Sequence, residues 1–259
     1  MARLKIIFAF WICLPSLLNA QYNVLGKPGY ILAPSASEIK ESLSLGITYM
    51  PENIVFRGER ASPEGEHVYH AGVSLTDFFQ VNLNITYSIR QPRNGIGDRH
   101  IDFRIHLLKE RKNFPALVLI AVPPGASTNF LAHNALIMGK QFAGDLVEVS
   151  AGYGLPYNIG GRAVTVASSP LEIYDKRDKG YWYLIGGFAG VAVKPAEWLR
   201  ISADISNRGP AAGVGLNLKK ILFGQVNWLG GNRFGYCFKT NIRLDREPPE
   251  LRKARKSRD

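Results

Sequence analysis

The sequence predicts an all-β chain: a single antiparallel transmembrane β-barrel of about 12 strands, after a cleaved signal peptide. Three observations predict it. Apolar and polar residues alternate with period two in segment after segment, the spacing at which side chains of a strand share a face. Clusters of Gly, Pro, Asn and Asp separate those segments. No apolar run of about 18 residues follows the N-terminal leader, so a helical span is not expected beyond it.

The leader is MARLKIIFAFWICLPSLLNAQ. Arg3 and Lys5 form a basic start, an apolar stretch runs from Ile6 to about Leu18, and Ala20 is a small residue suited to cleavage. Residues 1–20 are therefore expected to be a signal peptide, 21–40 an N-terminal periplasmic segment, 41–244 the barrel and 245–259 a basic disordered tail. Cys13 follows Ile12, where a lipoprotein site wants a small residue, so lipidation is not expected. Loss of the leader leaves Cys237 as the sole cysteine, which excludes an internal disulfide. It also removes Arg3 and Lys5, lowering the formal charge from +11 to +9. A basic exported chain suits anionic headgroups or an acidic polysaccharide; export argues against nucleic acid.

The strands follow in order. Leu43 to Tyr49 and Val68 to Leu75 are strand-like. FQVNLNITYSIR puts Phe79, Val81, Leu83, Ile85, Tyr87 and Ile89 on one face and Gln80, Asn82, Asn84, Thr86, Ser88 and Arg90 on the other. HIDFRIHL sets Ile101, Phe103, Ile105 and Leu107 against His100, Asp102, Arg104 and His106. Ala116 to Val122 is apolar on both sides, so its facing stays open. Leu131 to Lys140, Leu146 to Gly154 and Tyr181 to Val193 come next, then WLRISADI, with Leu199, Ile201, Ala203 and Ile205 opposite Trp198, Arg200, Ser202 and Asp204. Gly213 to Leu218, Leu222 to Leu229 and the aromatic stretch RFGYCFKTNIRL complete the set. In the last, Phe234, Tyr236, Phe238, Thr240 and Ile242 alternate with Arg233, Gly235, Cys237, Lys239, Asn241 and Arg243. Two longer connections stand out: Pro51 to Glu66 reads as a surface loop, and Tyr157 to Gly180 contains SSPLEIYDK, which suits a helical turn or a loop folded inward.

Such alternation also describes a soluble β-sandwich, with the apolar faces pressed together. In that reading Trp182, Trp198 or Trp228 would stack on a carbohydrate. Glycines on the polar faces and the roughly ten-residue rhythm favour the barrel. Tyr49, Tyr87, Tyr153, Tyr181, Trp182, Tyr183 and Trp228 would then supply interfacial girdles.

In a barrel the polar face is the lumen. The lumen-facing candidates are His100, Asp102, Arg104, His106, Arg200, Asp204, Arg233, Lys239 and Arg243. They read as a ladder of charge pairs between neighbouring strands: a structural polar core if the lumen is packed, which suits a barrel of this size, or a surface that hydrogen-bonds a glycan if it is open. A metal is not expected: side chains two apart on a strand are about 7 Å apart, and Arg104 stands between the would-be ligands. His67 and His70, three apart, fall on opposite faces. Gly186, Gly187 and Gly190 do not make a dinucleotide fingerprint, and no nucleophile elbow is present. No catalytic residue and no cofactor are expected.

Four segments carry a family resemblance: GKPGYILAPSA (Gly26 to Ala36), GIGDRHIDFRIHLLKERKNFPALVLIAV (Gly95 to Val122), FLAHNALIMGKQFAGDLVEVSAGYG (Phe130 to Gly154) and GGFAGVAVKPAEWLRISADIS (Gly186 to Ser206). In the second, the GDR turn, the alternation, the LLKE end and the following PAL occur together. With these the chain resembles the N-terminal barrel-like portion of the YjbH family, bacterial outer-membrane proteins associated with exopolysaccharide and capsule production. RFGYCFKT also resembles the C-terminal β-signal of outer-membrane barrels, with a tail following it. The resemblance implies a bacterial outer-membrane location and a non-catalytic role in exopolysaccharide or capsule secretion or surface assembly. The partners it implies are outer-membrane lipid, an acidic polysaccharide and polysaccharide-export proteins.

Overall fold

A computed structural model gives the architecture and describes residues 22–38, 42–51, 65–87, 98–124, 131–161, 171–180, 182–218 and 221–243. The expected signal peptide and basic tail lie outside the described residues, as does most of the connection from Pro51 to Glu66.

Fourteen strands are described: β1 (Ser42–Met50), β2 (Glu66–Ser74), β3 (Phe79–Tyr87), β4 (Asp98–Leu108), β5 (Ala116–Ala121), β6 (Ala135–Phe142), β7 (Val147–Gly154), β8 (Tyr157–Gly161), β9 (Leu171–Asp175), β10 (Gly186–Ala196), β11 (Leu199–Ser206), β12 (Gly209–Leu218), β13 (Leu222–Trp228) and β14 (Phe234–Arg243). Twelve of them close into one antiparallel barrel, in which each strand pairs with its sequence neighbours. Two joints depart from that simple meander. β7 pairs with β10, with the β8–β9 hairpin inserted between them as a separate two-stranded sheet. β14 returns to β1, from Ser42 opposite Arg243 to Tyr49 opposite Tyr236. That closure leaves no open edge, and it excludes the sandwich.

The twelve barrel strands fall on the twelve strand-like segments of the sequence. The β8–β9 hairpin is a correction. The connection expected as a loop holds two short strands and a 3₁₀ turn, Arg177–Lys179. Leu171–Asp175 of the SSPLEIYDK stretch is a strand, and its Ser168 to Pro170 lie outside the described residues.

Facing follows the alternation. On β3, Gln80, Asn82, Asn84 and Thr86 are buried; on β4, His100, Asp102, Arg104 and His106 are buried. The intervening apolar residues point outwards and stay exposed or half-exposed: Ile205 and Val226 are 59% exposed and Phe234 60%. β5, whose facing the sequence leaves open, turns Ala116, Val118 and Ile120 inwards.

The barrel has two unlike ends. Ser42 and Arg243 share one end with five connections, residues 75–78, 109–115, 143–146, 197–198 and 219–221. At the other end lie the connections 51–65, 88–97, 122–134 and 155–185, with two short ones, 207–208 and 229–233. The first is called here the turn end, the second the loop end. The 143–146 turn is tight enough to hold Ala143, Gly144 and Asp145 at φ of 52°, 66° and 76°.

The lumen is filled by residues 22–38, the second correction. This segment was expected to sit outside the barrel, in the periplasm. Instead Val24, Leu25, Tyr30, Ile31, Leu32, Ala33 and Ala36 are buried and join the core cluster with Val118, Ile120 and Ile137 of the wall. The segment folds on itself through short-range bonds. Asn23 Oδ1 accepts the amides of Leu25 and Lys27 at 3.0 and 3.1 Å, and Val24 N–H donates to Ile31 O at 2.8 Å. Asn closing such a turn with its own side chain is a local device that needs no sheet.

The filled lumen as the candidate functional site

Inward-facing wall residues from most of the circumference converge on residues 22–38. Most of them address its main chain. On β11, Asp204 Oδ2 accepts three successive amides, those of Ile31, Leu32 and Ala33, at 2.8, 2.7 and 2.9 Å. Successive amides aimed at one carboxylate form an anion-binding concavity. On β4, Arg104 Nη1 donates to Ser35 O and Nη2 to Ser37 O, both at 2.7 Å. Tyr183 hydroxyl donates to Leu32 O at 2.7 Å and Gln225 Nε2 to Tyr30 O at 3.2 Å. Lys239 donates to Gly26 O and stands 3.5 Å from the centre of the Tyr22 ring. Ser150 Oγ accepts Ala36 N–H at 3.2 Å.

Glycines on the wall make room for this filling. A Cβ at Gly190 on β10 would lie 2.2 Å from the Tyr30 ring, and one at Gly139 on β6 would lie 2.9 Å from Ala36 Cβ. His70 is wedged between two more: Cβ atoms at Gly26 and at Gly46 would each come within 2.1 Å of its ring. His70 Nε2 lies 4.0 Å from the sulfur of Cys237, which is wholly buried.

At mid-height a charged cluster joins filling and wall. Lys27 Nζ is 2.6 Å from Asp102 Oδ2 and 3.3 Å from His133 Nε2. Asn82 Nδ2 donates to Asp102 Oδ1 at 2.9 Å, and His100 Nε2 sits 3.3 Å from Asp102 Oδ2. His133 Nδ1 bonds Leu131 O at 2.9 Å, which makes that nitrogen the donor and leaves Nε2 to accept from Lys27. Both charges are wholly buried. An ion pair taken out of water holds together only if its remaining valences are met, and Asn82 and the two imidazoles meet them. Nearer the turn end, Arg200 Nη2 and Glu148 Oε2 pair at 2.5 Å, and Ser37 hydroxyl donates to the other carboxylate oxygen.

His100, Asp102, Arg104, His106, Arg200, Asp204 and Lys239 thus lie on the inner wall. Arg233 does not: it is half-buried in the turn before β14, since that strand starts one residue later, at Phe234. Arg243 ends β14, and its side chain lies outside the described residues. The expected ladder between neighbouring strands is only partly present. Asn82 and Asp102 pair across β3 and β4, but the hydrogen bonds of Arg104 and Asp204 go to the filling segment. Tyr183, expected in a girdle, points inwards instead. His67 and His70 do fall on opposite faces, His67 Nε2 lying 3.1 Å from Tyr236 hydroxyl on the outside.

Lys27, His133 and Glu148 escaped the sequence reading, as did residues 22–38 as a filling. One signal was available. GKPGYILAPSA combines turn formers with a run of large apolar residues at no strand period, a pattern suited to buried irregular backbone. Outside the barrel strands, Lys176 is buried beneath the β8–β9 hairpin and donates to Tyr183 O at 2.6 Å. Burial brings its amine down to about 7; Asp175 opposes that shift and Lys27 adds to it. No group of three or more His, Cys, Asp or Glu that could hold a metal ion occurs among the described residues.

No protein-family model matches the chain, and no curated protein matches its sequence.

Proposed function

We propose that the chain is a bacterial outer-membrane β-barrel that supports exopolysaccharide or capsule secretion or surface assembly without catalysing a reaction. The observation that carries the membrane reading is inverted polarity. The outer face of a closed barrel is apolar from β1 to β14, and the inner face holds Asp102, Arg104, Glu148, Arg200, Asp204 and Lys239. Apolar surface of that extent does not persist in water. In hydrocarbon it is the favoured solvent contact, and a closed barrel is the one sheet whose backbone groups all pair.

Aromatic residues support the same reading. Tyr49, Tyr87, Tyr153, Trp228 and Phe234 face outwards towards the loop end; Phe78, Phe114, Phe142 and Trp198 do so at the turn end. Two such belts suit the two membrane–water interfaces. Short turns belong on the periplasmic side of outer-membrane barrels and long loops outside, which orients the turn end to the periplasm.

The polysaccharide role rests on the four segments that resemble the YjbH family, and on a basic exported chain suited to an acidic glycan. Partner polysaccharide-export proteins belong to the same proposal. Fractionation tests the location: the full chain should stay with outer membranes through a carbonate wash and migrate heat-modifiably on a gel. Release into periplasm or medium would overturn it. The role is tested separately, by deleting the gene in the producing bacterium and measuring surface polysaccharide, which should fall; an unchanged amount refutes the polysaccharide role alone.

A further inference from the structure

We propose that residues 22–38 are a withdrawable plug, and that the barrel is a gated pore for small hydrated solutes that opens when the plug leaves towards the turn end. This rests on the reading of the barrel as an outer-membrane span.

The path of the segment carries the proposal. Both of its ends lie towards the turn end. Asn241, near the finish of β14, donates to the Tyr22 hydroxyl, and Tyr22 packs edge-on against Phe223 near the start of β13, ring centres 5.5 Å apart. At the other end Ser37 bonds Glu148, one residue into β7. Between them the chain reaches up the lumen. Ile31, Leu32 and Ala33 meet Asp204 and Tyr183 near the loop end, and Lys27 meets His133, just before β6. The segment therefore enters and leaves by the same mouth. A loop inserted that way comes out without threading a chain end through the barrel.

The bonding is of a kind that permits exchange with water. Apart from Lys27 with Asp102, the polar contacts between wall and plug are mainly hydrogen bonds to plug carbonyls and amides, and the apolar cluster the plug shares with Val118, Ile120 and Ile137 is what withdrawal has to overcome. Peptide groups and charged side chains both regain water partners on separation, so the net cost of parting is a small fraction of the gross bonding. The wall left behind carries Gln80, Asn82, Asn84, Ser202, Gln225 and Asn227 among its charged residues, with one apolar stretch at Val118, Ile120 and Ile137. Asp102, Glu148 and Asp204 offset Arg104, Arg200 and Lys239, so the open lumen takes polar solutes with weak preference between cations and anions.

Planar bilayers with the purified full-length protein test this. The unaltered chain should insert and stay closed most of the time. Asp204→Ala removes the acceptor for three plug amides, and should raise the open fraction about tenfold or more, as loss of bonds to a charged group implies. If that variant fails to reach the heat-modified form, Tyr183→Phe removes only the hydroxyl on Leu32 O and carries the same expectation at smaller size. A lock then identifies the gate. Ala36 N–H donates to Ser150 Oγ at 3.2 Å, which places the two Cα atoms no more than about 7 Å apart, the outer limit for a disulfide. Added to the opening variant, Ala36→Cys with Ser150→Cys should suppress openings when oxidised and restore them when reduced. Inserted, heat-modifiable barrel with no rise in openings, or openings indifferent to the lock, overturns the plug and leaves the membrane reading standing. Failure to insert or to show heat modifiability removes the membrane reading, and the plug with it.

Discussion

Gly190 shows how much of this barrel is decided by one missing methyl group. It faces the lumen on β10, where a Cβ would lie 2.2 Å from the Tyr30 ring. The ring is itself wholly buried. Gly190→Ala should therefore push Tyr30 aside, and overpacking of this kind costs about 1–3 kcal/mol. The wall loses nothing, since Gly190 keeps its pairing with Ser150 and Asp204. Hydrogen exchange should separate the two effects. Amides of Ile31, Leu32 and Ala33 should exchange about fivefold to a hundredfold faster while those of β10 keep their protection, the range such a loss implies. Equal protection of all of them in the variant would show that Tyr30 is not held there. The sequence displayed the facing of such residues but not their partners: period two assigns Asp204 and Arg104 to an inner face, yet it is silent on what stands opposite. Lys27 and Asp102 meet only once the barrel closes around a segment with no period at all.

At the scale of elements, legibility tracked length and regularity. Eleven of the twelve wall strands show alternation in the sequence; β5 does not, because its inward Val118 and Ile120 pack in the core cluster while its outward side is apolar too. The β8–β9 hairpin was hidden because each strand has only five residues and Pro156 interrupts the approach from β7. Asn134, just before β6, fastens the hairpin through Tyr157 O and Asn158 Oδ1 at 3.2 and 2.9 Å, and at the hairpin's base Lys176 N–H donates to Pro156 O at 2.7 Å while its amine donates to Tyr183 O. Burial holds that amine at about 7 in the folded protein, against an ordinary value of 10.5. Between those values the unfolded segment binds the extra proton, so local stability rises with pH across the window. Below about 7 both states are protonated and the whole cost of a buried ammonium remains. Amide protection of β8 and β9, corrected for intrinsic exchange, should therefore fall as pH drops from about 9 to about 6. Lys176→Met should flatten that dependence; an identical slope in the variant would assign it to another group.

For the molecule as a whole, the decisive contact is the one most distant in sequence, between β1 and β14. β1 and β14 lie at opposite ends of the described barrel sequence, and their eight paired positions turn an open sheet into a closed wall. Contacts so distant in sequence are slow to form, because the loop entropy is lost before the pairing is gained. In hydrocarbon an unclosed edge is also far more costly than in water, since each unpaired backbone group there costs several kcal/mol. The same closure fixes the surroundings of the plug, because Gly26 and Tyr22 rest against β14 while Asp102 and Arg104 hold from β4. Phe238 sits at the seam, opposite Ile47 on β1 and Gly224 on β13. Its side chain points outwards, so replacing it leaves the lumen contacts untouched. Phe238→Pro removes one backbone donor from the seam and cannot take a central-strand position without distorting it. The chain should then stop short of closure. In a detergent or lipid refolding assay the fast-migrating unboiled band should be lost or reduced about tenfold, a ratio that little more than 1 kcal/mol secures and that one unpaired group exceeds. Phe238→Leu, which keeps the donor and the apolar face, should retain the band. A Phe238→Pro chain that closes as well as the unaltered protein would mean that the seam between β1 and β14 is not what completes the wall.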